Sequence, residues 1–177
     1  MKLSKLRLPE AVKVDGSFYR IHAGHPYWFR FAELLDNKKT TFGDFDFLYI
    51  GAKPANRRDG FNALFNFYYE KKELPRATDD GNTDKAIDYV IDADLIYSAV
   101  LQQYSIDLCD REIHWHKVRA MIAGLKDTKL NDIIYFRTCR YDSEQKDLMK
   151  AKTAWALPEK EEDASEDLKE FNDLLKK

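Results

Sequence analysis

Apolar and polar residues alternate along Val12-Lys13-Val14 and again along Phe18-Tyr19-Arg20-Ile21, on either side of an Asp15-Gly16 pair. Glycine tolerates the positive φ of a tight turn, so the pattern predicts a short β-hairpin near the N-terminus. The period then changes. Pro26 suits a first helical turn, and Trp28, Phe31 and Leu35 recur at helical spacing until Asp36-Asn37-Lys38-Lys39, predicting a helix from about His25 to Leu35. Phe42 to Ile50 is densely apolar and fits a short helix or a strand, which periodicity does not separate, with helix the expected form. Beyond Pro54, the stretch Arg58 to Lys72 sets Phe61, Leu64, Phe65 and Tyr68 on one side, with Phe67 and Tyr69 flanking them.

Leu74 to Thr83 is polar, contains Pro75 and Gly81 and has no period, so a loop or linker open to proteolysis is expected. From Asp84 to Tyr104 the set Tyr89, Ala93, Ile96, Tyr97, Val100, Leu101 and Tyr104 forms the longest helical stripe. Asp110 is expected to cap a following helix whose Trp115, Val118, Met121, Ile122 and Leu125 share a face, with Gly124 as its left-handed C-terminal residue. Leu130 to Phe136 reads as a short helix, and Asp142 with Gln145 starts another that runs to about Ala156. The expected fold is therefore mainly α: a compact domain of about seven helices and one hairpin over residues 1–158, with Trp28, Phe31, Ile96, Val100, Trp115, Val118 and Ile122 buried together.

Residues 159–177 differ in character. Glu159, Glu161, Glu162, Asp163, Glu166 and Asp167 form an acidic run, followed by Leu168, Phe171, Leu174 and Leu175 on one helical face. Such a helix is too short to be stable alone, which makes these four residues the candidate partner-binding element, tethered by an acidic linker.

Composition narrows the function classes. The chain has 177 residues, 34% of them charged and 44% hydrophobic, enough apolar mass for a core inside a well-solvated surface. The formal net charge of -2 does not ask for a polyanionic partner such as nucleic acid. The N-terminus lacks an apolar leader and no run approaches the roughly 18 residues of a membrane span, so a cytoplasmic protein without membrane attachment is expected. Cys109 and Cys139 have no ligand-spaced neighbours and are expected to be buried small hydrophobes. No repeat or low-complexity tract is evident.

Candidate chemistry is sparse. His114 and His116, two residues apart, would point in opposite directions on a helix, about 200° of rotation from each other, with His114 on the apolar side and His116 on the polar side. His22 and His25 read as a strand end and a helix start. Asp84, Asp88 and Asp92 stack at i, i+4 and i+8, but without a facing carboxylate cluster they read as a solvated helix start. Lys53, Arg57 and Arg58 beside the aromatic helix are the one place where basic and ring side chains interleave as in single-strand binders. Hydrolase, P-loop and dinucleotide signatures are absent, so no catalytic, metal or cofactor site is expected and the chain reads as a binding protein rather than an enzyme.

One string carries more. Asp92-Ala93-Asp94-Leu95-Ile96-Tyr97-Ser98-Ala99-Val100-Leu101-Gln102-Gln103-Tyr104-Ser105-Ile106-Asp107-Leu108, continuing through His114-Trp115-His116-Lys117-Val118-Arg119-Ala120-Met121-Ile122-Ala123-Gly124-Leu125, resembles the central block of the bacteriophage gp-fifteen family of tail assembly proteins. Asp127-Thr128-Lys129-Leu130, Ile133-Ile134-Tyr135-Phe136-Arg137, the Val12–Gly16 hairpin segment and Trp28–Leu35 extend the likeness in the same order. Two positions depart from the pattern: Ser105 stands where glycine is expected and His116 where an aromatic residue is usual.

The resemblance implies a long-tailed phage or prophage protein encoded beside the tape measure gene. Its implied role is that of a tail assembly chaperone acting in the host cytoplasm and absent from the mature virion. Implied partners are the tape measure protein and tail tube subunits, with self-association as a homo-oligomer also open. Two other readings stay open here: a minor structural or tail-completion component retained in the particle, and a nucleic-acid binder using Lys53, Arg57 and Arg58.

Overall fold

A computed structural model describes residues 7–37, 39–69, 86–140 and 145–158. The hairpin forms where the alternation ends: β1 (Ala11–Val14) and β2 (Ser17–Arg20) pair antiparallel with Val12 opposite Tyr19 and Lys13 opposite Phe18. Asp15 (φ 47) and Gly16 (φ 82) both adopt positive φ, the mirror-image turn that matches strand twist. Val12 and Val14 are buried on the inner face, while Phe18 stands exposed on the outer one.

Six α-helices and one 3-10 helix follow among the described residues. Helix α1 (His25–Asp36) carries Pro26 in its first turn, where a fixed φ and a missing N–H cost nothing, and Phe42–Leu48 is the 3-10 helix, opened by a capping box between Thr41 and Asp44. Helix α2 (Arg57–Tyr69) buries Phe61, Leu64, Phe65, Phe67 and Tyr68. Helices α3 (Ala93–Tyr104), α4 (Trp115–Ala123), α5 (Lys129–Thr138) and α6 (Lys146–Trp155) complete the order.

Two units divide these elements. The first comprises the hairpin, α1, the 3-10 helix, α2 and residues 112–118, where α4 begins; the second comprises α3, the rest of α4, α5 and α6. In the first unit α2 packs on β1 and on the 3-10 helix. Its centre is aromatic: the Trp28 ring lies 4.7 Å from Phe67 and 6.5 Å from Trp115, and Tyr68 stacks on Trp115 at 5.1 Å and 7°. Each indole N–H is satisfied, Trp28 donating to the His22 carbonyl at 2.9 Å and Trp115 to that of Tyr68 at 3.1 Å. In the second unit α5 packs on both α3 and α6. Of the seven side chains expected in the core, Trp28, Phe31, Trp115 and Val118 are buried in the first unit and Ile96 and Val100 in the second. Ile122 is only half-buried.

The structure corrects several local expectations. The long stripe does not start a helix at its acidic end: α3 begins at Ala93, because Asp88 folds the preceding residues into a turn by accepting from the Val90 and Ile91 amides at 2.8 and 3.0 Å. Leu101, placed on the apolar stripe, is exposed. Asp110 caps nothing, since α4 starts five residues later. Gly124 does not take positive φ. Its lack of a side chain instead makes room for Tyr104, whose hydroxyl would lie 2.8 Å from a Cβ there and donates to the Met121 carbonyl at 3.0 Å. Positive φ falls instead on Asp127 (φ 53) after α4, and on Ser105 (φ 53), which ends α3 at the position where glycine was expected. Cys139 is buried but Cys109 is exposed.

Candidate functional site

The histidines gather on one seam of the first unit. Residues 23–25 run alongside residues 113–115, with His25 N–H donating to the Ile113 carbonyl and Trp115 N–H to that of Ala23, both at 2.7 Å. Because α4 begins at Trp115, His114 precedes the helix and the 200° argument does not apply to it. The rings of His114 and His116 stand 5.1 Å apart instead of on opposite sides. Burial is also reversed: His116 is the buried one, stacked on Phe67 at 4.4 Å with Nε2 2.9 Å from the Phe67 carbonyl, while His114 is half-buried with Nε2 2.9 Å from the Pro9 carbonyl. His116 thus occupies an aromatic site as a ring, which accounts for its departure from the family pattern. His25 is buried and accepts the Ile113 N–H at Nδ1. Among the described residues no three His, Cys, Asp or Glu side chains are placed to share a metal ion.

Asp88 and Asp92 are buried rather than part of a solvated helix start, and Asp84 lies outside the described residues. Asp92 forms a two-pronged ion pair with Arg137 of α5, at 2.6 and 2.9 Å, with the two side chains 1% and 5% exposed. Asp92 also accepts the Asp88 amide at 2.8 Å. Both oxygens of this carboxylate are therefore engaged inside the fold, which makes it a brace. Sequence reading missed the brace, because Arg137 lies 45 residues away, on the face of α5 that buries Leu130 and Ile133. A lone arginine on a buried face was the available signal.

The basic and aromatic stretch does not assemble as a stacking platform. Phe61, Phe65 and Tyr68 are buried, and Lys53 and Arg57 both pair with Asp46, Lys53 at 3.4 Å. Burial and the Asp46 charge push the Tyr49 phenol well above the usual range, and its hydroxyl donates to the Gly60 carbonyl at 2.8 Å. In the second unit a hydrogen bond to Asp107 raises the Tyr97 phenol, and burial raises that of Tyr89 against the pull of Arg119.

Exposed apolar side chains have a different distribution. Of the eight large ones among the described residues, Phe18 and Tyr69 belong to the first unit, and Val90, Ile91, Leu101, Tyr135, Met149 and Trp155 to the second. Helix α6 buries none of its side chains. It is held to α5 through polar contacts: Arg137 Nε donates to the Trp155 carbonyl at 2.7 Å, Lys152 Nζ to that of Cys139 at 3.4 Å, and the Lys129 ammonium lies 5.6 Å from the Trp155 ring centre. The expected partner-binding residues Leu168, Phe171, Leu174 and Leu175 lie outside the described residues, as do the acidic run, the 74–83 loop and Asp142.

Among the described residues no helix is long and apolar enough to cross a membrane. Comparison with curated proteins and with solved structures returned no match. A family profile described as Bacteriophage Gp15 protein matches residues 6–157, the hairpin and all seven helices, and by that match the chain belongs to the bacteriophage Gp15 protein family.

Proposed function

We propose that this phage protein is a tail assembly chaperone that binds the tape measure chain before tail tube subunits enclose it. A tape measure protein is long, helical and apolar along its stripes, and an uncovered stripe of that kind associates with whatever apolar surface it meets. Covering it requires exposed apolar side chains on a stable support and no active site. The observation that best supports the reading is the second unit, where α6 buries no side chain and leaves Met149 and Trp155 exposed while Arg137 holds its end through the Trp155 carbonyl. Leu168, Phe171, Leu174 and Leu175 supply a further apolar face on an acidic tether.

Such a protein works by binding, in the host cytoplasm, and leaves when tube subunits polymerise. Mass spectrometry of purified virions tests the second half of this reading. The chaperone predicts no stoichiometric retention; one copy per tail or more would make the protein a structural component.

A further inference from the structure

Helix α6 is apolar at half of its positions and buries none of them. Leu148, Met149, Ala151, Ala154 and Trp155 belong to its 10 residues, and Met149 and Trp155 are exposed. A helix of this length is marginal in water by itself. Helix α6 packs on α5, and the hydrogen bonds that hold it there run from Arg137 and Lys152 to main-chain carbonyls, so its apolar side chains contribute little to its own docking.

The chain contains a cover of matching size and opposite charge. Outside the described residues lie 1–6, 38, 70–85, 141–144 and 159–177. Of these, only the last sets four large apolar residues, Leu168, Phe171, Leu174 and Leu175, at helical spacing. Between Pro158 and Leu168 stand six carboxylates and Lys160, a net charge of -5. Helix α6 has Lys146, Lys150 and Lys152 against Asp147, a net charge of +2. Lys150 makes only a long contact of 3.9 Å with Asp147, and both side chains are exposed, so this cation is open to exchange. Reach is not limiting: residues 159–167 extend to about 30 Å, twice the roughly 15 Å of α6. A flexible tether that short supplies an effective concentration on the order of millimolar, which favours the chain's own tail over that of a second copy.

We propose that in the free protein the apolar face of residues 168–175 packs along α6 over Met149, with the acidic run against Lys150, so that the two surfaces cover each other until a client helix separates them. A longer apolar helix wins because it has more area to bury. Displacement by a client rests on the chaperone reading; the covering of α6 does not.

Amide hydrogen exchange of the full chain, read by mass spectrometry with no client present, tests the covering. Residues 168–175 should exchange at least tenfold more slowly in the chain than in a synthetic peptide of residues 159–177, and equally slowly after fiftyfold dilution. Met149→Asp, at a position already exposed, should return them to within twofold of the peptide rate while exchange in α3 stays unchanged. Lys150→Glu should speed them severalfold, and it decides if Met149→Asp also disturbs α3. Exchange at the peptide rate in the parent chain, or protection that survives both variants, would overturn the proposal. So would protection lost on dilution, which would make the occupant a second copy. A protected tail in a chain that never binds tape measure protein would contradict the chaperone reading alone.

Discussion

Arg137 grips Asp92 through two parallel hydrogen bonds, and two of its other donors reach the carbonyls of Ala86 at 3.3 Å and Trp155 at 2.7 Å. One buried guanidinium thus ties together the turn before α3, helix α5 and the end of α6. A paired buried charge is tolerated, but a buried charge deprived of its partner is not. Asp92→Asn should therefore destabilise the protein by about 3–5 kcal/mol in a urea titration. The double variant Asp92→Leu with Arg137→Met should recover much of that loss. A single variant that melts like the parent would show that the pair is solvated.

Ser105 offers the opposite sign. Its left-handed φ of 53 costs an L-residue roughly 1–2 kcal/mol relative to glycine. Ser105→Gly should raise stability by about 1 kcal/mol, part of the gain being lost to the greater freedom of the unfolded chain. Calorimetry would register this as a melting temperature higher by a few degrees.

Alkaline pH should weaken the fold. Burial holds the Tyr49 phenol neutral far above the range of a free tyrosine, about 10, so the unfolded chain releases this proton first. A raised folded value means that stability is complete below about pH 10 and falls as pH rises beyond it. Tyr89 and Tyr97 are raised as well, so Tyr49→Phe should flatten the fall only in part. Urea midpoints at pH 9 and pH 11 for both proteins would measure the difference.

Local chemistry made much of the fold legible. Asp15-Gly16 dictates its own turn, Pro26 its own helix start, and the spacing of Phe61, Leu64, Phe65 and Tyr68 its own buried face. Failures came where a partner distant in sequence decided the outcome. Asp92 looks like part of a solvated ladder until Arg137 is brought beside it. His116 looks polar-facing until Phe67 supplies a stacking surface and a carbonyl. Gly124 resembles a helix terminator, yet the hydroxyl of Tyr104 is what requires its small size. The candidate site followed the same rule: the family block was readable residue by residue, whereas the histidine seam depends on His25 and Ile113, 88 positions apart, being paired.

Truncation after Pro158 separates tail from body. If Leu168, Phe171, Leu174 and Leu175 serve partners, the shortened protein should keep its melting temperature and lose self-association or tape measure binding. A fall of many degrees would place these residues in the core instead.

The most direct measurement concerns the client itself. Co-expression of the tape measure protein with this chain, followed by quantification of soluble tape measure and its co-purification, reads the chaperone activity without a finished particle. The account predicts that soluble tape measure rises severalfold, that the two proteins co-purify, and that replacing Leu168, Phe171, Leu174 and Leu175 by serine or truncating after Pro158 abolishes both effects. Tape measure protein that is equally insoluble with and without this chain, and that never co-purifies with it, would contradict the account.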